Sequence, residues 1–431
     1  MEWWDALRSR PDFWGFITIA PVAATVTWLH VWMALKMVFY PLDFWGLRLG
    51  PLPLGWQGIV PRKAGKISGI IVDQTLSKLG SLQEFFAAMN PDEMAAYLSE
   101  AIEGDLDELI DDLMYERHAL LWENLPYAIK RRIYAQARQQ LPEVMRELVT
   151  ELTYSVENLV DMRGMVVRQM ENDRALMVRM FLKVGQKEIN FIWHISFVIG
   201  FAFGILQMGI WLVVPWHWTI VFWAALWGFL TNWIAIWMVF NPVDPVRFRA
   251  PQLVKRVQGF PWIRPCVPHL GTYTLHGAFM RRQAEVAEVF AGITTHELIT
   301  LHNIMKEMMY GPYADRTRRI IKRHINQALS TPLVRTTLQL GLGPKNFAQL
   351  KVDLVEKSIQ ATMGPVADPV LNHSRAEKIF GLIRDRIRAL SPPEFQSLLR
   401  PAFQEDEWIL IVLGGVTGAL AGYLQYVLGF K

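Results

Sequence analysis

Charge and cysteine are both scarce in this sequence of 431 residues. Only 19% of the residues are charged, whereas an average soluble domain carries about 25%. The single cysteine, Cys266, excludes a disulfide framework and a cysteine-cluster metal site. The net charge of +4 is too small for a chain of this length to predict a nucleic-acid partner. These scarcities disfavour a soluble enzyme, a disulfide-rich secreted protein and a nucleic-acid-binding protein.

Apolar residues, in contrast, are abundant and are concentrated in four runs. Hydrophobic residues make up 52% of the chain, and 18 residues are tryptophan. A helix that crosses the hydrocarbon core of a bilayer needs about 20 mostly apolar residues. Tryptophans such as Trp14, Trp211 and Trp218 lie near the ends of the runs, as is typical at the level of lipid headgroups. We therefore predict four transmembrane helices, at residues 13–39, 191–214, 218–240 and 408–430.

The order of polar and apolar segments predicts which parts of the chain share a side of the membrane. Polar regions 40–190 and 241–407 each connect two predicted spans, so both must lie on the same side. Basic residues flank the spans within these regions, and the turn 215–217 has no lysine or arginine. Because basic loops are enriched in the cytoplasm, we expect cytoplasmic polar regions, with the tail 1–12, the turn and the C terminus in the periplasm. The predicted location is a bacterial inner membrane.

The two polar regions carry opposite charge. Region 40–190 has 17 basic and 22 acidic residues, a net charge of −5, and region 241–406 has 23 and 14, a net charge of +9. This difference predicts that the regions face one another, although two separately solvated surfaces would also fit it. The basic region is in addition suited to anionic lipid headgroups.

Both polar regions read as helical. In the first, apolar residues from Met145 to Met170 follow an alternating spacing of four and three, which is typical of a packed helical seam. A single helix over residues 142–174 would be about 50 Å long at 1.5 Å per residue. We expect it to form a stalk that leads towards the second span.

The sequence beside the membrane occurs twice. Trp32 to Asp43 and Trp233 to Asp244 share the pattern Met-Val-Phe-x-Pro-x-Asp at an offset of 201 residues. Further along, an offset of 204 pairs Phe86 with Phe290. The chain is therefore predicted to be two copies of one unit, each with an entry helix, an inserted cytoplasmic helical domain and an exit helix. The shared positions are Trp32, Ala34, Lys36, Met37, Phe39, Pro41, Asp43 and Pro61 in the first copy, and Trp233, Ala235, Met238, Phe240, Pro242, Asp244 and Pro265 in the second.

The second copy also carries a family resemblance. The run Thr-Asn-Trp-Ile-Ala-Ile-Trp-Met-Val-Phe-Asn-Pro, from Thr231 and Asn232 to Pro242, resembles the hallmark of a bacterial membrane-protein family known as domain of unknown function 445 (YjiN-like). The exit segment 403–410 and its glycine-rich helix resemble the C-terminal signature of that family. Members often have lysine before the methionine; Lys36 keeps this pattern and Trp237 departs from it. The family has no agreed activity, so the resemblance implies a location and an architecture rather than a reaction.

Small and polar residues within the spans are predicted to pack the helices together. Glycines four residues apart let helix backbones approach closely in lipid. Glutamine side chains in a bilayer are expected to form hydrogen bonds across helices, because an unpaired amide is costly there. The predicted packing residues are Gly200, Gly204 and Gln207 in the second span and Gly414, Gly418, Gly422 and Gln425 in the fourth.

No motif in the sequence predicts catalysis, a cofactor or a metal. The acidic residues between Asp92 and Glu116 lack the spacing of a calcium-binding loop and read as a solvated helix face. His296 and His302 are six residues apart, whereas a helical zinc motif needs four. The segment around Lys66 lacks the other residues of a phosphate-binding loop. The sequence therefore predicts a protein that is not an enzyme and that needs no cofactor.

Two functions remain open. The first is a non-catalytic anchor or scaffold that organises the cell envelope, with membrane lipids, further copies of the chain or envelope proteins as partners. The second is a conduit or transporter for lipid or another apolar molecule, since transporters often consist of two related halves. The second hypothesis requires an apolar groove or cavity. An ion channel is disfavoured because the predicted spans lack a charged lining.

Overall fold

The computed structural model describes residues 13–49, 52–214, 216–249, 272–330, 332–404 and 407–429. The tail 1–12, Cys266 and Pro265 lie outside these described residues. Helices dominate the described part of the chain, and strands form only two short antiparallel pairs. This agrees with the predicted all-α class.

The first half of the chain begins with a long apolar helix and ends with a longer one. Its elements, in chain order, are α1 (Phe13–Phe39), β1 (Trp45–Leu49), β2 (Leu52–Trp56), α2 (Ile59–Arg62), α3 (Ala64–Ile71), a first π-helix (Val72–Leu76), α4 (Ser77–Leu79), α5 (Leu82–Ala88), α6 (Pro91–Glu103), α7 (Leu106–Asn124), α8 (Tyr127–Leu159), α9 (Met162–Asn172) and α10 (Arg174–Val213).

The second half has a similar order. Its elements are α11 (His217–Phe240), β3 (Val246–Arg249), β4 (Thr272–Leu275), a 3₁₀ turn (Met280–Arg282), α12 (Gln283–Ile293), a second π-helix (Thr294–Leu298), α13 (Leu301–Tyr310), α14 (Ala314–Ala328), α15 (Pro332–Val366), α16 (Pro369–Ala389), α17 (Pro392–Gln404) and α18 (Glu407–Gly429).

Four helices, α1, α10, α11 and α18, are long and apolar enough to cross a bilayer. Their apolar parts coincide with the four predicted spans, and much of their surface is exposed large hydrophobic side chains such as Phe197, Phe222 and Leu428. In a water-soluble protein, such a surface would be expensive to leave uncovered. Four helices long and apolar enough to cross a bilayer, in an all-α chain, are what the sequence predicts.

The chain folds into two compact units. The membrane unit comprises residues 1–75, 170–289 and 387–431, and the helical unit comprises residues 76–169 and 290–386. The helical unit therefore takes residues from both polar regions. This division differs from the sequence-based domain order, in which each polar region forms a domain of its own.

Ion pairs within the helical unit join the acidic first region to the basic second region. Arg375 Nη1 lies 2.6 Å from Glu93 Oε2, and Arg386 Nη1 lies 2.8 Å from Glu84 Oε2. The hydrogen bonds from these guanidinium groups lower the pKa values of both carboxyl groups. The carboxylates of both pairs are about half exposed, so screening by water limits the stability that each pair adds. The pairs have the polarity that the opposite net charges predict.

The expected single helix over residues 142–174 is interrupted twice. α8 ends at Leu159, and Val160 is extended with φ −121° and ψ 124°. The Asp161 side chain accepts a hydrogen bond from the Gly164 backbone N–H (2.9 Å), so it satisfies a donor at the start of α9. Asp173 likewise caps the start of α10, where its side chain accepts a hydrogen bond from Leu176 N (2.9 Å). The stalk prediction is wrong because these acidic caps start new helices, although the seam residues of α8 are buried as expected.

Short hairpins follow both Pro-x-Asp motifs. β1 pairs with β2, and β3 pairs with β4. After each hairpin a glycine N–H donates back to the proline of the motif, Gly58 to Pro41 O and Gly277 to Pro242 O, both at 2.9 Å. A Cβ atom on Gly58 or Gly277 would lie within 3 Å of the backbone at the end of α1 or α11. Only glycine therefore allows this close return of the chain.

Beyond the hairpins, two local features recur 219 residues apart, whereas the sequence comparison used an offset of 204. The larger offset pairs Gly58 with Gly277 and the helix cap Ser81 with Thr300, and each cap accepts a hydrogen bond (3.1 Å) from the backbone N–H three residues later. Phe86 lies after the first π-helix, whereas Phe290 lies before the second. The two phenylalanines therefore lie at different positions relative to the two π-helices. The separation grows from 201 residues at the motifs to 219 residues after the hairpins because the second hairpin has a much longer connection, between Arg249 and Thr272.

Candidate functional sites

The helical unit contains an apolar cavity of about 270 Å³. Helices α6, α7, α8, α13, α14 and α15 contribute to its wall. Protein interiors are normally packed as densely as organic crystals, with few voids larger than a water molecule. A cavity of about 150 Å³ lined by apolar side chains is already large enough for benzene. Residues of the wall include Leu106, Leu109, Leu148, Ile325, Leu350 and Leu354.

Two charged or titratable side chains at the cavity wall are paired with carboxylates, although His324 Nδ1 has no hydrogen-bond partner among the described residues. His324 Nε2 lies 2.9 Å from Glu151 Oε2, and burial lowers the pKa of His324 below its ordinary value of 6.5. Lys357 Nζ lies 2.7 Å from Glu116 Oε1. Because most of the wall consists of leucine, isoleucine, valine and methionine side chains, the interior favours an apolar occupant over a charged one.

A second apolar pocket, of about 130 Å³, lies in the membrane unit. All four long apolar helices contribute to its wall, near the end of α1 that leads into the first hairpin. Two acidic residues, Glu188 and Glu407, also line it. The apolar wall residues include Leu35, Val38, Ile192, Ile236, Phe279 and Leu410.

Glu188 is buried and belongs to a cluster of four charged groups. Its Oε1 atom lies 2.5 Å from Arg282 Nη1, and the side chains are 5% and 19% exposed. Arg282 Nε also donates to Glu285 Oε2 at 2.9 Å, and Lys187 Nζ lies 2.5 Å from Glu285 Oε1. The hydrogen bonds from Arg282 and then Lys187 lower the pKa of Glu285 to about 2. Arg282 thus forms ion pairs with two carboxylates, and the carboxylate of Glu188 has little access to water.

Between the four apolar helices lies a much smaller cavity, of about 30 Å³, with a polar wall. Thr27, His30, Gln207, Trp227 and Gln425 line it. Gln207 Nε2 donates to Ile220 O at 3.4 Å, so it bonds across helices, whereas Gln425 Nε2 has no partner among the described residues. His30 Nε2 and Trp227 Nε1 are likewise buried without a described partner. The volume is about that of one water molecule, which could bridge such groups.

The span glycines lie at two close helix crossings. Gly200 and Gly204 of α10 face Thr27 and Ala20 of α1, where added Cβ atoms would lie 2.8 and 2.6 Å from their nearest neighbours. Gly414, Gly418 and Gly422 of α18 face α11. At Gly418 the nearest atom would be the carbonyl oxygen of Ala224. These glycines therefore lie where the backbones come closest.

The repeated motif has the same burial pattern in both copies. Trp32 and Trp233 are exposed, Ala34 and Ala235 are buried, and the motif phenylalanines Phe39 and Phe240 are buried. Lys36 is exposed, as is its counterpart Trp237. Among the described residues of this group, Asp43 Oδ1 pairs with Arg174 Nη1 at 2.8 Å, and Met37 O accepts from Trp56 Nε1 at 3.1 Å. The motif residues thus contribute to the hairpin and to the packed face of each helix.

Three side chains of the helical unit lie close enough to bind one metal ion. His296, His373 and Glu377 each place a ligand atom within 4.8 Å of the others. Sequence reasoning considered His296 with His302, and it missed the other two residues. The overlooked signal is the spacing of His373 and Glu377, which are four residues apart on one face of α16.

Comparison of the chain with protein-family models, with curated proteins and with solved structures gives no match. The resemblance to domain of unknown function 445 therefore stays a prediction.

Proposed function

We propose that this chain is a membrane protein that binds an apolar molecule, of the class of a lipid acyl chain, inside its helical unit. The single observation that carries the proposal is the cavity of about 270 Å³ with its apolar wall. Small-molecule sites are typically concave, mostly apolar and largely preformed. The pocket of the membrane unit, lined by all four apolar helices, is a second place for an acyl chain.

The cavity favours binding of an apolar molecule over the scaffold function, which the sequence also predicts as a possibility. A lipid conduit requires an apolar cavity, whereas an anchor or scaffold does not. Filling such a cavity with side chains would stabilise the fold through added contacts, so a scaffold has no need to keep it. If no apolar ligand binds, the proposal that follows is the scaffold function, with further copies of the chain or envelope proteins as partners.

Blocking the cavity tests the proposal. Ala361 lines the cavity on α15, and Ala361→Phe would place a ring in the space of the ligand. We expect the full-length protein in nanodiscs to bind a fluorescent fatty-acid analogue saturably, and Ala361→Phe to weaken that binding about tenfold, as a lost contact of about 1.4 kcal/mol would.

Val352→Phe is the matched control, because Val352 lies on the same helix but is exposed and outside the cavity. Its affinity is expected to equal that of the unmodified protein. If Ala361→Phe does not fold, Ser358→Phe blocks the same cavity from the same helix. Absence of saturable binding, or equal affinity in all variants, would reject the proposal in favour of the scaffold.

We also propose a bacterial inner-membrane location with both polar regions in the cytoplasm. The support is the position of basic residues at the polar end of the second span, where Arg174, Arg179, Lys183 and Lys187 precede the apolar part of α10. This arrangement gives the helical unit access to lipids of the inner leaflet, and it leaves the turn after Val213 in the periplasm.

We further propose that the two halves of the chain arose by duplication. The support is the shared order of apolar helix, hairpin, glycine contact, π-helix and capped helix, together with the matching burial of the tryptophan, alanine and phenylalanine positions of the two motifs. The helical unit would then be a joint product of both copies rather than two separate inserted domains.

A further inference from the structure

We propose that His296, His373 and Glu377 form a zinc site on the helical unit, independent of the apolar cavity. His296 comes from the second π-helix, and the other two residues come from α16. Two imidazoles and one carboxylate are a ligand set that zinc commonly uses, with a water molecule in the fourth position. Calcium and magnesium prefer sites made of oxygen ligands, so this set favours a transition metal.

One edge of the coordination polyhedron already has the required length. His296 Nε2 lies 3.4 Å from Glu377 Oε1. With metal–ligand bonds of about 2.0–2.1 Å, neighbouring ligands in a tetrahedral zinc site lie about 3.3 Å apart. The carboxylate and the first imidazole can therefore bind one ion with almost no movement.

The second imidazole lies beside the first. The rings of His296 and His373 are stacked, with centroids 5.1 Å apart and an angle of 23° between their planes. The side chains of His373 and Glu377 are exposed, so rotation about their side-chain bonds can bring the third ligand atom to bonding distance. Every ligand atom already lies within 4.8 Å of the others, so the remaining approach is short.

The backbone on both sides of the site is held in place by side-chain hydrogen bonds. Next to His296, the carbonyl oxygen of Glu297 accepts from Gln169 Nε2 (2.5 Å) and Asn303 Nδ2 (3.2 Å). Next to His373, Asn372 Nδ2 donates to Val366 O at 2.6 Å, and its Oδ1 accepts from His302 N at 2.9 Å. Ligands on a fixed backbone lose less freedom when they bind a metal. Bound zinc would thus tie the π-helix to α16.

Zinc binding to the full-length protein, measured by competition with a fluorescent zinc chelator, tests the site. We expect one saturable site per chain, and we expect His373→Ala and Glu377→Gln to weaken it about tenfold or more. The Glu377 side chain is 55% exposed and so does not contribute to a buried core. A loss of binding in Glu377→Gln therefore reports on the ligand itself.

His194→Ala is the matched control. His194 is an exposed histidine of the membrane unit whose Nδ1 lies 2.6 Å from its own helix at Asn190 O. This variant is expected to bind zinc as the unmodified protein does. Absence of a saturable site, or equal affinity in His373→Ala and Glu377→Gln, would overturn the proposal. Both outcomes are independent of the fatty-acid assay, because none of the three ligands lines the apolar cavity.

Discussion

Replacing Gly418 by valine is expected to lower the free energy of unfolding of the membrane unit by about 3 kcal/mol, at the upper end of the usual cost of overpacking. The added Cβ would collide with the carbonyl oxygen of Ala224, which belongs to the backbone of α11 and cannot rotate away. The two helices would have to separate, and the contacts of the neighbouring Gly414 and Gly422 would be lost as well. The measurement is thermal or denaturant unfolding of the purified protein in detergent.

Gly415→Ala provides the control on the same helix. A Cβ on Gly415 would lie 3.6 Å from its nearest atoms, which is ordinary van der Waals contact. We expect stability equal to, or slightly above, that of the unmodified protein, since alanine is the better helix former. Equal stability of Gly418→Val and Gly415→Ala would show that the close crossing of α11 and α18 does not contribute to the fold.

The second large effect is expected at Arg282. In Arg282→Ala the buried carboxylate of Glu188 loses its cation, which is expected to cost about 3 kcal/mol, since breaking one side of a buried pair leaves an uncompensated charge. Arg281→Ala, one residue away and exposed, is expected to have almost no effect. The double variant Glu188→Leu with Arg282→Leu is expected to recover most of the loss, because the unpaired charge is then absent.

The pH dependence of the Arg282→Ala variant gives an independent measurement. The pKa of Glu285 is about 2 in the folded protein and 4.5 ordinarily, so its ion pairs stabilise the fold above pH 4.5 and are lost as the pH falls towards 2. Arg282→Ala removes the larger cause of that shift, and the stability of the variant should therefore vary less in this range. A pH dependence equal to that of the unmodified protein would contradict the role assigned to Arg282.

The membrane spans could be predicted closely because the bilayer imposes a simple rule on length and polarity. α18 begins at Glu407, one residue before the predicted start of the fourth span. The second span shows the limit of this rule, because α10 begins at Arg174, far before the apolar run. Leucine, methionine, arginine and lysine all favour a helix. Helical structure in α10 therefore extends through the polar segment that precedes the apolar run.

The make-up of the helical unit could not be predicted in the same way. Arg375 and Glu93 are 282 residues apart in the chain, and a net charge of opposite sign indicates attraction without identifying the pairs. The proposed zinc site likewise depends on residues that are far apart in the sequence. His373 and Glu377 share a helix face by local spacing, but His296 reaches them only through the tertiary fold. Nor does any local pattern predict a cavity, which depends on space left between six helices.

The length of α10 has a mechanical consequence. Its 40 residues form one unbroken helix that carries charged residues near Arg174 and apolar residues up to Val213. At 1.5 Å per residue it is about 60 Å long, so a tilt of about 5° moves one end by about 5 Å relative to the other. Arg174, which is paired with Asp43, lies at one end of this helix, and Val213 lies at the other. A change in the tilt of α10 at the Asp43 pair is therefore expected to displace Val213 by several ångströms.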